Sequence, residues 1–330
     1  MPNLPRPEAV MAWLTPHGVP IARTLLRQQL VGLFGPPPVD LSVGRGDPGL
    51  CGPGSASWQV IGDPAAIVGG IRGLLVQVMH PSAMAGVTDH SRYLEDPVGR
   101  LQATASWVGT ITFGACQQVL AAADRVRAAH DHVRGTTPAG RSYAAGDPEL
   151  LSWVQCALTV SFLAADAQYA ARPIDQTARD RFVLEQSRAA ALLDPRVDLA
   201  DVPTTSAAMA PAIDDLPLMS EGHLPRTEAE LLELLAGFGD QLRVGRQGRT
   251  AVSFLRSPPL PQPVSTAYRV LLGGAVATLP RNAQARLGLH TIGPRGISVA
   301  RARVLLTAMR TANGSSPARR LAQRRAVATG

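Results

Sequence analysis

The sequence lacks lysine altogether and has few aromatic residues and few cysteines. All 32 basic residues are arginine, so Schiff-base chemistry on a lysine of this chain is excluded. Aromatic residues make up only 4% of the chain, so the core consists mainly of Ala, Val and Leu, which favours helices over sheets. Cys51, Cys116 and Cys156 show no CxxC spacing and indicate neither a disulfide framework nor a zinc knuckle. We therefore expect a mostly helical protein of the reducing cytoplasm.

Long hydrophobic runs are absent as well. The longest, Val270–Leu279, is far shorter than the roughly 20 residues that span a bilayer, and the N-terminus does not read as a secretion signal. The net charge of +7 comes from scattered arginines, apart from a run between Ala318 and Arg325, so we expect no nucleic-acid partner. A homo-oligomer is compatible with the composition.

Asp-Pro pairs mark the starts of three predicted helices, because aspartate caps a helix and proline suits its first position. These helices are predicted over 63–81, 97–113 and 148–165. A capping-box pattern starts another helix at Thr227, and a last apolar helix is predicted over 266–277. The pattern is typical of one large all-α domain.

Composition divides the chain into three parts. Residues 1–57 contain a Pro- and Gly-rich loop and are predicted to form an N-terminal arm, 58–290 form the helical domain, and 291–330 form a C-terminal extension. The stretch 193–225 is rich in Asp, Pro and Ser without periodicity, which predicts a loop or mobile insertion. The end of the chain, from Thr311, is predicted to be disordered.

A histidine completes the apolar stripe of the predicted helix 117–134. The apolar members recur at alternating four- and three-residue spacing and are Val119, Ala123, Val126 and Val133. His130 falls in the same stripe, whereas His132 points elsewhere. His130 is either a core histidine bonded to a carbonyl or a metal ligand in an apolar pocket, as a heme's proximal histidine is.

Polar residues enter two other predicted apolar faces. Arg100 and Thr104 share one face with Trp107 and Ile111; they form either a surface pair or a pair that polarises dioxygen or a substrate carbonyl. Gln155 lies among Leu151, Leu158 and Phe162, where it makes a helix-helix hydrogen bond or lines a cavity.

His80, Asp89 and His90 allow a divalent-metal hydrolase as an alternative, because two histidines and a carboxylate can hold such an ion. No HExxH motif is present, however, and no second acid is spaced to complete the site. We expect both histidines to bond backbone carbonyls at helix ends or to support a neighbouring site. Nucleophile-elbow, P-loop and dinucleotide-binding motifs are absent too.

Several linked motifs resemble the MpaB-type oxygenase family, which includes the latex-clearing, or rubber, oxygenases. They are DPAAIVGGIRGLLVQVMHPSAMAGVTDHS, DPVGRLQATASWVGTITFG, HDHVRG and GRSYAAGDPELLSWVQ, followed by LPRTEAELLELL and by the PPLP and LGL elements. They occur in the family's order and spacing. The resemblance covers about Trp58 to Leu289 apart from 193–225.

The resemblance implies a globin-like helical core that holds one heme b and an enzyme that reacts with dioxygen. His130 corresponds to the iron ligand of the family, and Arg100 and Thr104 correspond to the pair on the opposite side of the heme. Trp107 and Gln155 are predicted to line the heme cavity with them.

Two departures from the family's pattern point away from rubber cleavage. Ala103 stands where rubber oxygenases carry a lysine that can cap the iron, and Gln155 stands where many members have histidine. We therefore predict a heme-dependent oxygenase that acts on a small apolar metabolite. The alternatives are an oxidase, dehydrogenase or peroxidase-type enzyme that tailors a natural product, and a non-catalytic protein that binds heme or an apolar ligand.

Overall fold

The structure is a computed structural model that describes residues 32, 34–289, 294–314 and 316–327. Most of the predicted arm, residues 1–31 and 33, lies outside the described residues. The described residues form 15 α-helices and one two-stranded hairpin, so the prediction of a mostly helical protein is confirmed. The division into an arm, a domain and an extension stays a prediction.

The helices follow one another with short connections. They are α1 Ala56–Gly62, α2 Ala65–Gln77, α3 Pro81–His90, α4 Pro97–Phe113, α5 Cys116–His130, α6 Pro148–Tyr169, α7 Gln176–Ala191, α8 Ser206–Asp214, α9 Pro217–Ser220, α10 Glu228–Gly237, α11 Arg246–Arg256, α12 Val264–Thr278, α13 Arg281–Leu287, α14 Arg295–Asn313 and α15 Pro317–Val327. Strands β1 Arg134–Thr136 and β2 Ser142–Ala144 pair antiparallel between α5 and α6. Short 3₁₀ turns occur at Leu199–Asp201 and Gly239–Gln241.

The three Asp-Pro pairs do precede helices, but only Asp96 caps its helix through a side-chain hydrogen bond, which it accepts from the Gly99 amide at 2.9 Å. Asp63 accepts a hydrogen bond from the Ala65 amide at 2.8 Å, but the cap position of α2 is held by Pro64, one residue later than predicted. The side chain of Asp147 instead accepts from the Ala144 amide at 2.7 Å, which ties the hairpin to the start of α6. The hairpin was not predicted, and α6 runs four residues beyond its predicted end.

The centre of the fold is the contact between α2 and α6, with α12 on α2 and α14 on α12. Glycines on α2 allow the first two helices to approach closely. A Cβ on Gly69 would lie 2.6 Å from Phe162 Cδ1, and one on Gly73 would lie 2.8 Å from Leu158 Cδ2. At Gly69 the backbone of α6 also lies within 3.0 Å of such a Cβ, so the packing seen requires glycine there, whereas at Gly73 the closest atom is the end of a flexible side chain.

Residues 193–225 contain two α-helices that cover 13 of the 33 positions, and a 3₁₀ turn covers three more, so the stretch is only in part the loop that was predicted. Helices α8 and α9 bury Met209, Ile213 and Leu218 completely in a hydrophobic cluster with α5 and α7. Arg188 of α7 also pairs with Asp214 at the end of α8. The prediction of a loop was wrong for α8 and α9 because these helices are too short to show a periodic pattern and their stability comes from packing.

The end of the chain also differs from the predicted disorder. Helix α14 continues to Asn313, and α15 packs against α1 and α4. Arg325 of α15 is 1% exposed and donates to the carbonyls of Phe113 at 2.8 Å and Asp47 at 2.9 Å. Composition alone did not reveal that this arginine binds carbonyls inside the fold.

One helix among the described residues, α6, is long and apolar enough to cross a membrane, and the bent pair α1 and α2 passes the same test together. In α6, 72% of the qualifying window is buried within the fold. Core helices of globular proteins meet the same criterion, and the packing of α6 against α2 accounts for its apolar composition.

Candidate active site

The face of α4 that carries Arg100 runs from solvent into the core. Arg100 is exposed, Thr104 and Trp107 are half-buried, and Ile111 is buried. The Thr104 hydroxyl donates to the Arg100 carbonyl at 3.2 Å, so the two residues are linked within one helical turn. Trp107 packs against the cluster that contains Ile111. The predicted spacing thus places a cation and a hydroxyl at the solvent end of an otherwise apolar face.

His130 is the last residue of α5. Along its stripe, Val119 and Ala123 are fully buried, whereas Val126 and His130 are half-buried. His130 Nδ1 is buried and has no hydrogen-bond partner among the described residues. Nδ1 of His130 therefore does not donate to a backbone carbonyl among the described residues, as it would in the first of the two interpretations. His132 is exposed beyond the helix end, as the stripe predicts, while the helix itself stops before Val133.

The positive charge of Arg100 acts on the imidazole of His130. Burial lowers the pKa of His130, the positive charge of Arg100 lowers it further, and Asp131 opposes the shift. The imidazole is consequently neutral at neutral pH, which is the form that binds metals.

Arg100 combines solvent exposure with loss of hydration. Its side chain is exposed, yet desolvation lowers its pKa. A guanidinium in a recess that is open to solvent has both properties, because protein surrounds it on several sides while water still reaches it. The guanidinium keeps its charge at neutral pH in spite of this shift.

The other predicted site residue, Gln155, is buried in α6. Its Nε2 donates to the hydroxyl of Thr159 at 3.0 Å, one turn along the same helix. The bond therefore lies within one helix rather than between two helices, and the position of Gln155 in a cavity stays a prediction, since no described contact joins it to Arg100 or His130.

The two other histidines of the motif region occupy opposite ends of α3. His80 accepts from the Ala83 amide at 3.3 Å as the cap of α3, and His90 Nε2 lies 3.0 Å from the Arg134 carbonyl. The predicted bond to a backbone carbonyl is confirmed for His90, whereas His80 accepts from a backbone amide instead. A ten-residue helix separates them by about 15 Å, and no group of three metal-ligating side chains occurs among the described residues. The structure therefore does not assemble the alternative metal-hydrolase site.

A buried aromatic cluster around His80 was missed in the sequence. The His80 ring lies 5.5 Å from the Trp153 ring and 6.0 Å from the Phe238 ring, measured between centroids. His80 Nε2 and Trp153 Nε1 are both buried without a partner among the described residues. The Trp153 and Phe238 positions are far apart in sequence, so no local pattern could have joined them to His80.

Residues 58–313 match the family model for the catalytic domain of ER-bound oxygenase mpaB/B' and rubber oxygenase. The chain belongs to this oxygenase family. It is therefore an enzyme, and the resemblance seen in the motifs is confirmed. No curated protein and no solved structure matches the chain. The matched region contains all of the oxygenase's candidate site residues and excludes α15.

The side chains around Arg100 suit the heme that the family resemblance implies. An unpaired, buried ring nitrogen on a neutral histidine is able to ligate iron, and Val98, Trp107 and Val126 are half-buried apolar residues of the two helices that carry Arg100 and His130. Two surface pockets of the fold measure about 330 Å³ beside Arg303 and about 170 Å³ beside Arg269, and neither is lined by a candidate residue.

Proposed function

We propose that the oxygenase uses heme b held by His130 and oxidises a small apolar metabolite within a globin-like helical core. The observation that carries the proposal is the neutral, half-buried imidazole of His130, which has an unpaired Nδ1 and is within electrostatic reach of Arg100. Bound heme would supply the chemistry of dioxygen or peroxide activation.

The chain's own residues would position the reactants. Arg100 would present a fixed positive charge to dioxygen or to a substrate oxygen, in a recess where partial desolvation strengthens the interaction. The Thr104 hydroxyl, already directed to the Arg100 carbonyl, would keep its lone pairs available as an acceptor. Trp107 would border the cofactor with its half-buried ring, and Gln155 would stand behind it in α6.

The substrate proposal rests on Ala103, which occupies the family's lysine position. Its side chain is exposed and has no group that could bind the iron of a bound heme. The half-buried aliphatic residues of α4 and α5 favour an apolar substrate. A small metabolite fits an enzyme that differs at Ala103 and Gln155 from the rubber-cleaving members.

Family membership argues against one alternative function and leaves another open. Membership in a family of catalytic domains disfavours a carrier without turnover. An oxidase, dehydrogenase or peroxidase-type enzyme uses the same residues, and mass analysis of the product formed under labelled dioxygen separates it from an oxygenase. The three cysteines are free, in keeping with the proposed cytoplasmic location.

Absorbance of the purified protein tests the cofactor. Protein expressed with sufficient heme should show a Soret band, His130→Ala should lose it together with bound iron, and His132→Ala should retain both. Since His132 is exposed two residues away, it controls for nonspecific heme binding by surface histidines. Absence of a Soret band after expression and after reconstitution would refute the proposal, as would equal heme content in the two variants.

A further inference from the structure

The charges of this chain are divided sharply along its length. Residues 241–330 contain 15 arginines and no aspartate or glutamate, because the last acidic residue is Asp240. The first 240 residues contain the other 17 arginines and all 25 acidic residues, so their net charge is −8. A protein with a modest overall charge thus has one strongly basic part, a pattern that indicates an anionic partner.

Most of this positive charge lies at the surface. Eleven of the 15 arginines are exposed, and none of the eleven forms an ion pair within the described part of the chain. They are Arg243, Arg246, Arg249, Arg256, Arg269, Arg281, Arg286, Arg295, Arg301, Arg303 and Arg324. Since none of these eleven is neutralised by an ion pair among the described residues, they contribute positive charge to the surface potential.

Helix α14, which carries three of these arginines, also exposes apolar side chains. Ala302, Leu306 and Met309 face the core, while the opposite face carries Ile297, which is 47% exposed, and Val304, which is 72% exposed. Positions 297, 301, 304 and 308 follow one another at helical spacing, so Arg301 and Ala308 lie on this outward face too. Single exposed aliphatic residues are common, but two on one face of a basic helix form an amphipathic docking surface.

We propose that this outward face of α14 docks on the surface of a membrane that contains anionic phospholipids. Arginines bind lipid phosphates while their aliphatic stems stay in the interface, and branched aliphatic side chains insert at the boundary of the acyl chains. A nucleic acid or an acidic protein would satisfy the arginines but would leave Ile297 and Val304 in water. Charge and apolar exposure together favour the bilayer.

The proposal is independent of the heme and goes beyond the reaction. Apolar compounds concentrate in membranes, so an enzyme that rests on the bilayer meets such a substrate at a higher local concentration. The recess beside Arg100 lies in the acidic part of the sequence, and the docking surface therefore does not use the candidate active-site residues.

Cosedimentation of the full-length protein with vesicles tests this surface. The protein should bind vesicles of phosphatidylcholine mixed with phosphatidylglycerol, bind pure phosphatidylcholine vesicles much more weakly, and be partly released by salt. Arg301→Gln should weaken binding to the mixed vesicles by about fivefold, as expected for one arginine near an anionic surface. Ile297→Ser combined with Val304→Ser should weaken it by at least a comparable factor.

A matched control removes one arginine and one exposed aliphatic side chain elsewhere. Leu232 is 53% exposed and Arg125 is exposed, and Leu232→Ser combined with Arg125→Gln should leave vesicle binding unchanged. All of these side chains are on the surface, and circular dichroism verifies that each variant is folded. Failure to bind the mixed vesicles would overturn the proposal. So would equal losses in the α14 and control variants, or stronger binding to duplex DNA that the Ile297 and Val304 substitutions do not change.

Discussion

Gly69→Ala should destabilise the protein, because the added methyl group has no room between α2 and α6. Its Cβ would lie 2.6 Å from Phe162 Cδ1, 3.0 Å from Phe162 Cα and 3.3 Å from the Ser161 carbonyl oxygen. Two of these three atoms belong to the α6 backbone, so a rotamer change cannot relieve the overlap. Overpacking of this kind costs about 2–3 kcal/mol, from which the helix propensity of alanine recovers about 1 kcal/mol.

The next residue provides the control. A Cβ on Gly70 would have no atom within 4 Å, so Gly70→Ala should stabilise α2 by about 0.5–1 kcal/mol. The stability of Gly73→Ala should lie between those of Gly69→Ala and Gly70→Ala. The closest atom to its Cβ is the end of the Leu158 side chain, which can rotate away. Urea unfolding of the three variants and the wild type gives the order, with unchanged m values as the condition for comparison. A Gly69→Ala protein as stable as the wild type would refute the packing argument.

Further predictions concern a buried histidine and a buried arginine. Burial lowers the pKa of His80 from 6.5, so its contribution to the free energy of unfolding is complete above pH 6.5 and is lost as pH falls through the folded-state pKa. Asparagine in place of His80 still caps α3 but does not titrate. His80→Asn should therefore reduce the loss of stability between about pH 8 and about pH 5, measured by urea unfolding. An unchanged pH profile would contradict the role of His80 in this loss. Arg325→Ala should lower the free energy of unfolding by roughly 2–4 kcal/mol, since it removes two hydrogen bonds that a buried, charged side chain donates. Arg324→Ala, at an exposed position, should change the urea midpoint little. Similar urea midpoints for both variants would show that the burial of Arg325 contributes nothing to stability.

Local chemistry predicted the parts of the fold that depend on a few neighbouring residues. The Asp96-Pro97 pair defined the start of α4, and Gly114 follows its last residue. Thr227 likewise caps α10 through the Glu230 amide. Elements that depend on distant partners were missed. The β1–β2 hairpin is only three residues per strand, and α8 is held by Arg188 from another helix.

In the candidate site, too, local sequence predicted some features and missed those that depend on distant residues. Helical periodicity selected His130 over His132, and the structure places His130 at the end of α5 with His132 outside it. The interaction of His130 with Arg100 joins residues 30 positions apart in sequence, so no pattern within one helix could predict it. Gln155 illustrates the converse: an apolar stripe suggested a partner on another helix, but Thr159 on the same helix satisfies its amide.

The sequence by itself determined the helical class, the family and the side chains available for chemistry, because composition, capping residues and motif order are properties of short segments. It also determined the absence of acidic residues after Asp240. Only the tertiary structure decided which of those side chains meet. In the folded structure, burial lowers the pKa of His130, and its Nδ1 has no partner among the described residues. His80 and His90 lie at opposite ends of α3, and Ile297 and Val304 face outward. These features depend on how the helices pack together, and the sequence of a single helix does not contain that information.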